Sequence, residues 1–151
     1  MKIDIIAAGR LRKGPLFELL QEYERRLKWS LSIHEIESKH TAAAAIQQDE
    51  EAKILKQLSP GAFIIAMDER GQSLPSLDFA KKIGDLQTNG HSHLQFVIGG
   101  ADGLTDTLRT QAGFLLSFGR QTWPHMLARV MLLEQIYRAQ QILDGHPYHR
   151  E

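Results

Sequence analysis

Residues 94–103 read LQFVIGGADG, a mostly apolar run that passes without a break into a glycine-rich loop. A short continuous apolar run bounded by turn residues is the pattern of a strand buried on both faces. The same pattern recurs in IDIIAA (3–8), which Gly9 ends, in AFIIAM (62–67) and in FLLSF (114–118); LSIHEIE (31–37) is a weaker candidate. Helical stretches separate these runs. After Gly14-Pro15, LFELLQEYERRLKW (16–29) has apolar residues at helical spacing. Thr41 to Leu58 is rich in good helix formers and Ser59-Pro60-Gly61 stops it. Ser76 is placed to cap a helix ending near Thr88, with Asn89-Gly90 as its stop. A short helix is expected over 105–111, and Pro124 opens the last and longest one, to about Leu143. Alternating strands and helices with continuous apolar strands predict an α/β fold: one domain over 1–151, its parallel sheet covered by helices on both faces.

Composition narrows the function classes. The 151 residues include no cysteine, which excludes disulfides, zinc-thiolate centres and cysteine nucleophiles. MKIDIIAAGR does not read as a signal peptide, because Asp4 interrupts a short apolar run, and no stretch approaches the length of a membrane span. A soluble cytoplasmic protein is the expectation. Eighteen basic residues balance eighteen acidic ones, so this is no general polyanion binder. GRLRKG (9–14) and RRLK (25–28) are nevertheless locally basic.

In open parallel sheets, ligands bind beyond the carboxyl ends of the strands. Three glycine-bearing segments occupy such positions: DERGQ (68–72), read as a polar loop, GGADG (99–103) and GRQTWPH (119–125). GGADG is neither a Walker A loop nor a G-x-G-x-x-G fingerprint, and no Gly-x-Ser-x-Gly elbow is present. A phosphate-cradling NTPase and an α/β-hydrolase are thereby disfavoured. His91 and His93 are expected in a solvated turn. The chain closes with GHPYHRE (145–151), which can be a disordered end, a metal site or part of an active site. His125, His146 and His149 lack the acidic or sulfur ligands of a full metal shell, so no metal is expected.

MDERG, FVIGGADGL, LLSFGRQTWPHMLARVMLLEQIYRAQQIL and the terminal HPYHRE together resemble the ribosomal RNA large subunit methyltransferase H family, of the SPOUT class. The resemblance runs from GRLRKGP to the last residue. It implies a SPOUT fold with a deep trefoil knot in the C-terminal half, S-adenosylmethionine as cofactor, and a homodimer whose active sites are shared between chains. The implied reaction is methylation of N3 of a pseudouridine in 23S rRNA within assembled ribosomes, in a stem-loop near the decoding centre. Carried over by position, cofactor contacts fall on Met67, Gly99 and the loop Phe118, Gly119, Arg120, Gln121, Thr122 and Trp123. Met67 stands where leucine is usual. Arg120 and Gln121 replace small apolar residues, which is tolerable where the loop binds through its backbone.

Methyl transfer from a sulfonium needs an in-line approach at about 3–3.5 Å, so positioning supplies much of the rate. The acceptor imide must lose a proton, and charge develops on the flanking carbonyls, where donors help. Tyr148 and Arg150 are the candidate donors, and the Tyr148 ring can stack on an extruded base. His125 and His149 are candidate proton acceptors beside bulk water, and His149 also counts among the substrate contacts. Arg10, Arg12 and Lys13 are the candidate rRNA patch. The resemblance places the tail across the dimer interface, hinged at Gly145. The 124–143 helix is apolar over much of its circumference, with Met126, Val130, Leu133, Ile136 and Tyr137 in one stripe and Leu127, Met131, Leu132 and Leu143 beyond it. That width predicts a dimer helix, with a core helix of a monomer as the alternative. A SPOUT enzyme acting on tRNA and a non-enzymatic ribosome assembly factor are the competing functions.

Overall fold

A computed structural model describes residues 1–151. Its elements are β1 (Lys2–Ala8), α1 (Pro15–Arg26), β2 (Ser30–Ile36), α2 (Ala43–Gln57), β3 (Phe63–Ser73), α3 (Ser76–Thr88), β4 (His93–Ile98), α4 (Asp106–Gln111), β5 (Phe114–Ser117) and α5 (His125–Leu143). The strands form one sheet in the order β2-β1-β4-β3-β5, and every pairing is parallel. β1 lies inside the sheet, in register with β2 from Lys2↔Ser30 to Ala8↔Ile36, and every residue from Ile3 to Ala8 is buried.

Alternation along β1 divides the core. Ile3, Ile5 and Ala7 join the larger cluster with α1, α3 and α5; Ile6 and Ala8 join the smaller one with Ile54 of α2 and Leu108 of α4. Both faces are thus covered, which explains why the strand runs are continuously apolar. No helix is long and apolar enough to cross a membrane.

Several boundaries depart from the sequence reading. The segment 68–73 is not a loop: β3 continues through it to Ser73, with its pairing to β5 shifting between Met67 and Gln72. A Cβ at Gly71 would lie 2.5 Å from the carbonyl of Leu115, so the two backbones approach this closely only at glycine. Helix α1 stops at Arg26 rather than Trp29. The amides of Lys28 and Trp29 donate instead to Gln140 Oε1, at 2.7 and 3.0 Å. Ser76 does not cap α3; Pro75 holds the cap position, and the Ser76 hydroxyl donates to Gln135 Oε1 at 2.7 Å. His93 leaves the expected solvated turn to begin β4, where it meets Asp4, and His91 packs edge-on against Phe63.

Asp4 shares the smaller-core face of β1 with Ile6 and Ala8. Its Oδ2 accepts from Gln95 Nε2 at 2.9 Å and lies 2.7 Å from His93 Nε2. Gln95 also donates to the Gln57 carbonyl and accepts from the Ser59 amide, which ties the α2–β3 connection under the sheet. Burial pushes the Asp4 carboxyl up, but the bonds from Gln95 and His93 outweigh it and hold the group below its usual value of 3.8. A carboxylate depressed on folding stabilises the fold above its unfolded pKa, and this contribution disappears as pH falls through the lower folded value. Asp4→Ala should cost roughly 1–3 kcal/mol at neutral pH by orphaning buried donors. It should also flatten the acid limb of stability below about pH 4; denaturant midpoints from pH 7 to pH 2 would check both.

Candidate active site at the carboxyl ends of the strands

Where the strands end, three segments enclose a cavity of about 810 Å³. One wall is Met67 to Arg70 of β3, the second is Gly99 to Leu104 after β4, and the third is Ser117 to Gly119 with Gln121 to Pro124 after β5; His125 and Ala128 of α5 close the far side. Segment 118–124 leaves the edge strand β5 and crosses back over β3 and β4 to Gly9 beside β1, about 14 Å at the usual strand spacing.

Local chemistry fixes each wall. Gly119 has φ +104°, a conformation that suits glycine, and its amide donates to the Ser117 hydroxyl at 3.1 Å. The Trp123 indole donates to the Phe118 carbonyl at 3.1 Å and closes that loop on itself. In the middle wall, a Cβ at Gly99 would stand 3.0 Å from Gly103 and Leu104, and one at Gly100 would stand 2.7 Å from Glu50 Oε1. Gln47 donates to the carbonyl of Asp102 at 3.1 Å. Arg109 joins two walls: it reaches Asp68 at 3.2 Å and the Leu104 carbonyl at 2.6 Å. Burial pushes the Glu50 carboxyl up, and its bond from the Gly100 amide only partly offsets this.

Of the residues singled out from the sequence, Met67, Gly99, Phe118, Gly119, Gln121, Thr122, Trp123 and His125 line the cavity. Arg120 does not; it is exposed, outside the wall. Arg10, Arg12 and Lys13 are exposed on the β1–α1 connection, whose Gly9 abuts His125. Tyr148, His149 and Arg150 lie outside the cavity of their own chain. The tail is nonetheless docked, turned by Gly145 at φ +70° onto the end of α5. The Tyr148 ring meets Tyr137 edge-on at 4.8 Å, and its hydroxyl donates to Glu134 at 3.1 Å. Arg138 sits over the same ring and reaches His149 Nδ1 at 3.1 Å. Burial first, then Tyr23 and Glu134, raise the Tyr148 phenol well above its usual range, so it stays a donor.

The expected dimer stripe on α5 is largely spent within the chain. Val130, Leu133, Ile136 and Tyr137 are core residues packed with α1 and α3, while Met126, Leu127 and Met131 keep partial exposure.

A family model described as "Predicted SPOUT methyltransferase" matches residues 1–149. The chain is 49% identical over 151 residues to "Ribosomal RNA large subunit methyltransferase H" of Rhodospirillum centenum, covering 99% of each. The chain belongs to the ribosomal RNA large subunit methyltransferase H family of SPOUT methyltransferases. Two solved structures share the fold. A "Probable Methyltransferase" from Bordetella pertussis Tohama I has a TM-score of 0.58 at 12% identity, over 91% of this chain and 95% of that one. A Legionella pneumophila protein solved "in complex with the bound cofactor SAM" has 0.50 at 13% identity, over 93% and 66%.

Reading from the sequence missed three residues that support the surroundings of this cavity. Glu50 lies in the acidic stretch QQDEEAK (47–53) and Arg109 in a short polar helix, where nothing local marks their distant partners. Arg129 was hidden in an apolar helix, although its spacing of four from His125 puts the two on one face. Burial, followed by the Arg129 cation, lowers the His125 imidazole below its usual 6.5. The shift favours the neutral imidazole, the form that can accept a proton. An NMR titration should place its midpoint below 6.5. Because the folded value is the lower one, stability should decline as pH falls below 6.5 toward it.

Proposed function

We propose that this chain transfers a methyl group from S-adenosylmethionine to large-subunit ribosomal RNA. The finer reading is N3 of a pseudouridine in 23S rRNA, modified within assembled ribosomes in the cytoplasm by a homodimer. The observation that carries it is one cavity built by three glycine-bearing segments at the strand ends, in a chain related to the methyltransferase H proteins along its whole length.

The cavity fits the cofactor on its own chemistry. Its volume is in the range for small-molecule sites. Met67, Ile98 and Leu116 supply apolar floor, and Gly99 to Gly103 and Gly119 leave backbone groups open to a ligand. When bound, the cofactor supplies an electrophilic methyl group. The protein's part is to hold the acceptor nitrogen in line, keep water out and manage one proton. His125 is the wall residue suited to take that proton, with bulk solvent as the alternative.

Tyr148, His149 and Arg150 belong to the acceptor side of a second chain's cavity in this reading. It is supported by a docked tail that stays clear of its own cavity. Anchored by Tyr137, Glu134 and Arg138, the tail is a fixed element rather than a fraying end. Met126, Leu127 and Met131 are the apolar part of α5 left for a partner. The implied trefoil crossing belongs to the same proposal; the return path of 118–124 from the edge strand supports it.

Isothermal titration and radiolabel transfer to ribosomes, with tRNA as the competing acceptor, test the function. Gly99→Val should retain the fold yet lose cofactor affinity at least tenfold, because its side chain presses on Gly103 and Leu104. Incorporation into tRNA and not ribosomes would redirect the substrate assignment.

The shared site has its own test. Within its own chain the Tyr148 hydroxyl donates to Glu134, so serving the acceptor requires it to turn from that carboxylate. Tyr148→Phe should keep cofactor affinity and slow transfer by about a hundredfold, near 3 kcal/mol for one lost donor. A tail-deleted chain mixed with Gly99→Val should recover part of the activity, since one site of the heterodimer unites an intact cavity with an intact tail. Absence of recovery in verified heterodimers would refute sharing.

A further inference from the structure

Arg129 is the largest fully buried side chain, at 1% exposure, and it does not line the cavity. Its Nη1 donates to Glu35 Oε2 at 2.6 Å, and its Nη2 donates to the carbonyls of Gly9 at 2.9 Å and Ala8 at 3.2 Å. The same Glu35 oxygen accepts the Leu11 amide at 2.6 Å. The Gly9 amide donates to the Ile36 carbonyl at 2.7 Å, and Leu11 is buried. A Cβ at Gly9 would stand 3.1 Å from His125 Nε2, so this connection rests directly against the cavity wall. Five hydrogen bonds and one buried leucine thus hold residues 8–11 between β2 and α5.

A rigid support is costly here. Burying a guanidinium carries a desolvation penalty of several kcal/mol, and an ion pair of this kind gains little over an apolar replacement. Its Nε lacks even a partner. Global stability therefore does not account for the arrangement. What it fixes is the backbone of residues 8–11, which carries Arg10 and leads directly into Arg12 and Lys13, three exposed cations within four residues, none of which is ion-paired. In the other basic stretch, by contrast, Arg25 and Arg26 share Glu22, and Lys28 pairs with Asp144.

We infer that the Arg129–Glu35 pair is a positioning device that presents Arg10, Arg12 and Lys13 as a preformed ledge for RNA phosphates at the cavity mouth. The inference rests on the proposed action on ribosomal RNA. Phosphate contacts set register without reading sequence, so a ledge of fixed geometry beside His125 orients the acceptor loop toward the cavity. Arg129 and Glu35 act through the ledge and touch neither cofactor nor substrate.

Sign separates positioning from simple charge. Glu35→Gln removes a negative charge beside a basic loop, so electrostatics alone would strengthen ribosome binding. Positioning predicts the opposite: weaker neutral bonds to Arg129 and Leu11 loosen the ledge and raise the KM for ribosomes about tenfold. Cofactor affinity should stay unchanged, and the rise in KM should exceed any change in kcat that the less-screened Arg129 charge transmits through His125. The surface variant Arg10→Ser, Arg12→Ser, Lys13→Ser disturbs no buried side chain and keeps the test valid if Glu35→Gln folds poorly. It should lower the slope of log affinity against log salt by about one unit for each phosphate no longer neutralised. With wild type methylating ribosomes, an unchanged or lower KM in a folded Glu35→Gln protein, or an unchanged salt slope in the triple variant, overturns the ledge and leaves the function intact. If wild-type protein binds cofactor but neither binds nor methylates ribosomes, the proposed function falls and the ledge with it.

Discussion

Every strand of this sheet runs the same way, and a parallel sheet cannot be closed by hairpins. Each connection must cross a face: α1 and α3 cross one side and α2 and α4 the other, while α5, which follows the last strand, packs on the side of α1 and α3. With both faces covered by helices, the loops at the carboxyl ends of the strands are the natural place for a ligand. The carboxyl ends gather the β1–α1 connection, the irregular end of β3, the loop after β4 and the loop after β5 within reach of one cavity. The site therefore follows from strand direction before any particular side chain is considered.

That geometry also divides the labour among elements. The cavity needs close backbone approach, so its walls are glycine-rich and stiffened from behind by Glu50, Gln47 and Arg109. Helix α5 serves two ends at once. Its first turn closes the cavity through His125, and its last turns receive Gln140's bonds to the α1–β2 link and the docked tail. A helix with so much to pack against has little apolar surface left over. The width of its apolar face, which in the sequence pointed to a dimer helix ahead of a core helix, is mostly explained by α1, α3 and the sheet.

Legibility followed the same physics. Buried strands were plain because two-sided burial demands unbroken apolar runs, and glycine punctuation marked their ends. The extension of β3 was not plain. DERGQS is polar and contains glycine, yet Gly71 is there to let two strand backbones meet, not to turn the chain. His93 looked solvated because its partner, Asp4, is 89 residues away. The early end of α1 depends on Gln140, 112 residues from Lys28. Among site residues, those that act through backbone were visible as glycine loops. Those that act through long-range polar bonds, Arg129 and Glu50 above all, were invisible, because a local window shows composition and not partners.

A neutral chain must gain selectivity from geometry rather than from bulk charge. Non-specific attraction to RNA scales with the number of phosphates neutralised, and with equal numbers of acids and bases many cations here serve intramolecular pairs. A few free cations held in fixed places then contribute more to recognition than many mobile ones, since less side-chain and loop entropy is lost on binding. The same logic applies to the tail. Tyr148 is a weak acid pushed further from ionising, and it is pinned by an aromatic contact and a carboxylate. Such a group is poorly suited to proton abstraction and well suited to donating a hydrogen bond in one direction. Burial shifts the His125 imidazole toward its neutral form and keeps the Tyr148 phenol protonated, so the cavity wall and the tail carry groups of opposite hydrogen-bonding character.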